Sequence, residues 1–282
     1  MAAGTQLDRD HPGFTDAVYR ARRDTIAAAS AGYRPGSPIP GVAYTDTEHE
    51  VWRTVSRQLA AKHEQYACAE YRSAAARLDL PADEVPQLAM VSDRLRRLTR
   101  FAIAPVPGLV PARTFYGSLA ERTFLSTQYV RHHSVPLYTP EPDIIHEVIG
   151  HANFLASERM ADLYQAAGQA SRRTESVAAL DFFSRVFWFS IEFGVVWEGG
   201  ELRTYGSGIL SSFGELDHFR DAAIRPFDLR AMGTQDYDIS VYQAVLFAAP
   251  SFDHAMDELH AFFSTYDDDA YGRLALDPSH AA

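Results

Sequence analysis

Two histidines five residues apart, in His146-Glu-Val-Ile-Gly-His151, place the tightest constraint on the backbone of this 282-residue chain. Five residues of continuous α-helix rotate the second imidazole about 140° away from the first, whereas the His-Glu-x-x-His spacing of zincins keeps both rings on one face. The pair converges only if the helix ends between them. Gly150 suits that ending, because glycine readily takes the left-handed conformation that closes helices. The expectation is a last helical turn at His146 and a loop returning His151, both rings aimed at one metal. Two unrelated core histidines, each satisfied by hydrogen bonds, are the plainer alternative.

A third candidate ligand, Glu192, stands in the aromatic, nearly uncharged run Phe182-Phe-Ser-Arg-Val-Phe-Trp-Phe-Ser-Ile-Glu192-Phe-Gly194. An unpaired carboxylate in such surroundings is costly or keeps its proton, so either metal coordination or a salt bridge is expected. Arg185, seven residues back on the same helical face, is the candidate ion-pair partner. Two histidines and a carboxylate leave half an octahedron open, the arrangement of non-haem Fe(II) oxygenases. A hydrolytic zinc site competes, with Glu147 as its general base.

Charge excludes some partners. With 26 basic against 37 acidic residues and a net charge of −11, the chain is a poor match for a phosphate backbone, and nucleic acid is not expected. The single cysteine, Cys68, forms no internal disulfide and fits a reducing compartment. Neither a signal-type apolar stretch nor an 18-residue apolar window is present, so no membrane partner and a cytoplasmic location are expected.

The hydrophobic fraction, 46%, suffices for a large core, and without internal repeats or low-complexity linkers the expectation is one domain over residues 1–282, with 1–10 disordered. Helical periodicity covers residues 15–31, 46–78 and 83–99. Between the first two, the proline-rich arm 33–44 cannot hold a helix. Prolines 105, 107 and 111 force a loop, with a short strand at FAIAPV, and residues 112–133 read as helix followed by strand. A short helix over 142–150 carries His146, and 153–170 and 175–194 are the long buried helices. Short strands are expected at 201–205, 227–230 and 238–247, a helix from about Leu210, and a helix over 252–263 capped by Ser251. The fold class is mainly α with a few short β-strands.

Five long motifs in fixed order carry a resemblance: HPGFTDAVYRARR, PIPGVAYTDTEHEVW, STQYVRHHSVPLYTPEPDIIHEVIGH, WFSIEFG and YGSGILSSFGEL. From His11 to about Leu276 the chain resembles the catalytic domain of the pterin-dependent aromatic amino acid hydroxylases, nearest in pattern to those acting on phenylalanine. The resemblance implies a single, mainly helical catalytic domain using Fe(II) and a tetrahydropterin of the biopterin type, with O2 as co-substrate. It implies His146, His151 and Glu192 as iron ligands. Arg131 matches the arginine that grips the substrate carboxylate, and Thr139, Gly208, Ser211 and Ser212 match positions lining the amino acid site, with Trp188 and Phe193 walling the ring. By themselves these residues read as an ion pair and core. Gly108, Leu109, Val110 and Phe115 match the pterin cradle, otherwise a structural turn. Glu147 matches a carboxylate facing the pterin and iron-bound water, otherwise a solvated helix face. Tyr237 matches a tyrosine near the iron, and Ile239 a neighbouring position associated with substrate preference.

Leu125, Ala112 and Phe187 depart from the family pattern, each removing a polar group near the pterin. The resemblance begins at the catalytic domain, so neither the regulatory domain nor the tetramerisation helix of animal relatives is expected, and a monomer is. Trp188 favours phenylalanine or tyrosine over tryptophan, and Ile239 lacks the acidic group typical of tyrosine hydroxylases. Hydroxylation of L-phenylalanine to L-tyrosine is the leading expectation. The alternatives are meta-hydroxylation of phenylalanine or hydroxylation of tryptophan in a secondary pathway. From other classes, a zinc hydrolase and a non-catalytic amino acid sensor remain.

Overall fold

The computed structural model describes residues 9–276; of the residues 1–10 expected to be disordered, 1–8 lie outside the described residues, and Arg9 and Asp10 form a turn. Side-chain caps set where most of the helices begin. Asp16 accepts from the backbone N–H groups of Val18 and Tyr19 to start Ala17–Ala31, and Thr45 with Glu48 forms a capping box at the head of Asp46–Tyr66. That long helix buries Val51, Trp52, Val55, Leu59 and His63 along one stripe. The helix expected over 46–78 is broken. Ala67 and Cys68 turn extended, and the Cys68 N–H pairs with the Thr204 carbonyl before Ala69–Leu78 resumes.

The sheets are small. β1 (Ala102–Pro105) and β2 (Thr123–Ser126) pair in parallel around the helix Ala112–Leu119. β3 (Val195–Glu198) and β4 (Glu201–Thr204) form a hairpin whose turn, Gly199-Gly200, has φ of 62° and 84°, angles that glycine adopts without strain. β5 (Ala223–Pro226) and β6 (Val245–Ala249) complete the order β4-β3-β6-β5. The strands expected at 227–230 and 238–247 are displaced. Asp228 caps a helix over Leu229–Thr234, residues 235–244 stay mostly irregular, and the buried apolar run of β6 lies between β3 and β5.

The helix Glu158–Arg173 is the spine of the core, packed against Ala112–Leu119 and Phe252–Thr265 and burying Tyr164 completely. Ser157 caps it, so the helix expected over 153–170 is split after Leu155. The helix expected over 175–194 runs as α only from Val177 to Phe187. The helix Asp268–Leu276 packs on Val177–Phe187 and Leu229–Thr234. No helix among the described residues is long and apolar enough to cross a membrane.

Candidate active site

The two histidines converge by a route other than helix termination. Asp143 starts the turn, its carboxylate accepting the His146 N–H at 3.2 Å and its carbonyl accepting the Glu147 N–H at 3.0 Å. The backbone then widens into a π-helix over His146–Ala152 that runs into Asn153–Leu155. In this wider turn each N–H reaches back five residues, so residue i+5 returns over residue i. The expected helix end at Gly150 is therefore corrected: His151 stays within the helical backbone. Gly150 serves close approach, since a Cβ there would lie 2.7 Å from the Ser207 carbonyl oxygen on the neighbouring helix Ser207–Leu210. A second π-turn, Trp188–Glu192, closed by Phe193 N–H to Trp188 C=O at 2.8 Å, delivers Glu192.

His146 Nε2 and His151 Nε2 are 2.9 Å apart, and Glu192 Oε1 lies 3.3 Å from His151 Nε2. One ligand atom from each residue falls within 4.8 Å of the others. Arg185, the alternative partner for Glu192, pairs with Asp236 at 2.9 Å. The outer nitrogens fix the tautomers. Ser211 Oγ donates to the Ser207 carbonyl at 2.8 Å, so it accepts from His146 Nδ1, also at 2.8 Å. The Tyr164 hydroxyl lies 2.8 Å from His151 Nδ1 and 3.3 Å from Ser207 Oγ; in the arrangement where it donates to Ser207, it accepts from His151 Nδ1. Both Nε2 lone pairs then point at each other, which a cation between them relieves. Burial holds His146 neutral, its pKa near 4, and pushes the Glu192 carboxyl up to about 8. The donor set, two neutral imidazoles and a carboxyl that needs a positive charge to ionise, fits a divalent metal ion.

Above these ligands lies a cavity of about 650 Å³, lined by Arg131, Thr139, Trp188, Phe193, Gly208, Ser211, Ser212 and Ile239 together with His146 and Glu192. Every substrate-side position singled out in the sequence is brought here. Trp188 is sandwiched between Phe193, centroids 4.5 Å apart, and Tyr237, stacked at 4.3 Å. Tyr237 thus backs the wall without lining the cavity. Gly208 is needed because a Cβ would meet the Phe193 ring at 2.8 Å. Arg131 forms a buried, bidentate pair with Asp143, Nε to Oδ2 at 3.0 Å and Nη2 to Oδ1 at 2.8 Å. That consumes the side edge of the guanidinium; Nη1 reaches only the Pro136 carbonyl, at a long 3.5 Å, so the Nη1–Nη2 edge keeps N–H groups for another anion.

On the opposite side, Leu109 reaches the cavity rim while Gly108 is buried. Phe115 meets Phe124 edge-on at 5.5 Å, and Phe124 in turn lies 4.7 Å from the His151 ring. Phe187 packs against Tyr116 at 5.0 Å within this aromatic cluster. Glu147 is buried, not solvated, and desolvation raises its pKa well above the usual carboxylate range.

The family described as biopterin-dependent aromatic amino acid hydroxylase matches residues 1–272. The chain belongs to that family. A phenylalanine 3-hydroxylase of Streptomyces coeruleorubidus is 49% identical over 94% of this chain and 95% of its own length. A rat phenylalanine-4-hydroxylase is 40% identical over 94% of this chain, which spans only 60% of that protein. The phenylalanine hydroxylase of Chromobacterium violaceum, solved with iron(III) and 7,8-dihydrobiopterin, superposes with a TM-score of 0.75 at 28% identity, over 86% of this chain and 89% of its own. Membership makes the chain a biopterin-dependent hydroxylase of aromatic amino acids, with the mainly helical fold expected.

Asp143, Tyr164, Glu215 and Gln243 join the site without a motif that marks them as functional in the sequence. Asp143 had a local signal, an acidic residue just ahead of an apolar helical run. The other three had none: Tyr164 meets His151 and Ser207, and Gln243 meets Glu215 and Trp188, across 13 to 55 residues of chain.

Proposed function

We propose that this protein is an iron- and tetrahydropterin-dependent monooxygenase that hydroxylates L-phenylalanine at the meta position. The observation that carries the reading is a His146, His151 and Glu192 cluster on one side of an aromatic-walled cavity that also holds Arg131, oriented by its bidentate pair with Asp143. The leading expectation from sequence was para attack; the similarity to the Streptomyces 3-hydroxylase over almost the full length of both chains favours the meta alternative.

His146, His151 and Glu192 would hold iron, the metal bound in the Chromobacterium neighbour, and Gly108, Leu109, Val110 and Phe115 would cradle the pterin, with Glu147 between the two. Bound iron and tetrahydropterin supply the electrons that activate O2. The protein's own part is placement. Asp143 holds Arg131 so that its remaining N–H groups donate to the substrate carboxylate, aided by the Ser212 hydroxyl, which accepts from the Glu215 N–H and keeps its proton for the ligand, while Thr139 and Ser211 line the site. Trp188 and Phe193 hold the ring against the ligand cluster, and a displacement of the ring by about one carbon separates meta from para attack. The apolar walls displace water from the ring.

L-phenylalanine supplied with Fe(II), tetrahydrobiopterin and O2 should yield meta-tyrosine, resolved from its isomers by chromatography. Exclusive para-tyrosine would overturn the regiochemistry, and absence of any tyrosine isomer would overturn the substrate. His146→Ala and Glu192→Ala should each lose iron binding and hydroxylation together.

A further inference from the structure

Gln243 is buried beside the cavity without lining it, and its backbone N–H and both ends of its side-chain amide are engaged. Its backbone N–H donates to Glu215 Oε1 at 3.2 Å. Its side-chain Nε2 donates to the carbonyls of Asp238 at 3.0 Å and Val241 at 3.3 Å. Both acceptors demand an NH2 group, which orients the amide and turns Oε1 the other way. There it accepts the Trp188 indole N–H at 3.0 Å. A half-buried indole N–H has few acceptors to choose from, and this one is fixed at three points before it reaches the ring.

Stacking alone does not fix Trp188. Phe193 and Tyr237 hold its faces, and sliding in the ring plane costs a stacked pair little. The bond to Gln243 is directional and removes that freedom. Glu215 strengthens the arrangement from the helix Phe213–His218, where Ser212 caps its own N–H at 3.2 Å.

We propose that Gln243 is a positioning residue that sets the in-plane position of Trp188, and through it which ring carbon of the aromatic substrate is hydroxylated. The proposal rests on the aromatic hydroxylase reading but not on which isomer the wild type makes. Gln243 touches no substrate; it acts through the indole.

The test uses enzyme loaded with Fe(II) and supplied with tetrahydrobiopterin, O2 and L-phenylalanine, with tyrosine isomers quantified and tyrosine formed per pterin oxidised recorded. Gln243→Met removes acceptor and donors at similar volume. The ratio of minor to major isomer should rise about fivefold, the ratio that one neutral hydrogen bond sustains, and the yield per pterin should fall. Gln243→Glu keeps an acceptor for the indole but loses the donors to Asp238 and Val241. It should shift the ratio in the same direction by less, and it serves if the methionine variant fails to fold. In a Trp188→Phe background, Gln243→Met should change the ratio less than about twofold, because the bond it removes is already gone. Unchanged isomer ratio and yield in a variant with a native melting transition would overturn the proposal, as would a full shift in the Trp188→Phe background. A wild type making only para-tyrosine would sink the meta assignment alone, leaving the shift measurable from that baseline.

Discussion

Tyr164→Phe tests the metal centre at a residue that is no ligand. Tyr164 is completely buried, and its hydroxyl accepts from His151 Nδ1 at 2.8 Å while lying 3.3 Å from Ser207 Oγ. Phenylalanine fills nearly the same volume, so the aromatic packing against Phe101, Phe124 and Phe187 is retained. What is lost is the acceptor for the His151 Nδ1 proton. An orphaned buried donor costs about 1–3 kcal/mol. The ring can escape by moving its proton to Nε2, the nitrogen that faces His146 and Glu192. Metal binding must then reverse that shift, and loss of such an outer partner typically weakens affinity about 10–100-fold, or roughly 1.4–2.7 kcal/mol. Anaerobic titration of the metal-free protein with Fe(II), or with Co(II) followed by its visible absorption, reads the Kd directly. A Kd within about twofold of wild type, in a variant with a native melting transition, would refute the tautomer argument.

Three further outcomes follow from the same geometry. Gly150→Ala would place a methyl 2.7 Å from the Ser207 carbonyl oxygen, so chemical denaturation should show a loss of about 1–3 kcal/mol, with weaker metal binding as Ser211 moves off His146. If Gly150 merely ended a helix, alanine would leave the metal site untouched. Arg131→Lys cannot serve Asp143 and a substrate carboxylate together, and steady-state kinetics should show KM for phenylalanine raised about 10–100-fold, with kcat falling less. Burial lowers the His63 pKa from 6.5 to about 4. Its neutral form therefore contributes stability that is fully present above pH 6.5 and is lost as pH falls towards 4, about 3 kcal/mol in all; His63→Gln should lose less stability than wild type across that window in denaturant titrations.

The parts of this protein that were legible in its sequence are the ones written locally. Ser251 sits directly before the helix it caps, and the prolines of residues 33–44 exclude helix wherever the rest of the chain goes. His146, His151 and Glu192 were nameable because their chemistry is conspicuous in apolar surroundings. The backbone that unites them was not. A π-turn has no period of its own to read, being one extra residue accommodated in a helix, and here it coincides with the Ser207–Leu210 helix pressing against a residue without a Cβ.

Sequence alone determined which groups are available: two imidazoles, a carboxyl, an arginine and a set of aromatic rings. Tertiary structure decided their states. The Nδ1 protons of His146 and His151 are placed by Ser211 and Tyr164, 65 and 13 residues away, and the Trp188 indole by Gln243, 55 residues away. Arg131 presents its Nη1–Nη2 edge to the cavity side because Asp143 occupies the other, with Nη1 held only by a long contact to the Pro136 carbonyl. A tautomer, a charge state or a ring position depends on which partner lies within hydrogen-bond reach in a dry interior, and that distance is set only when the chain has closed on itself.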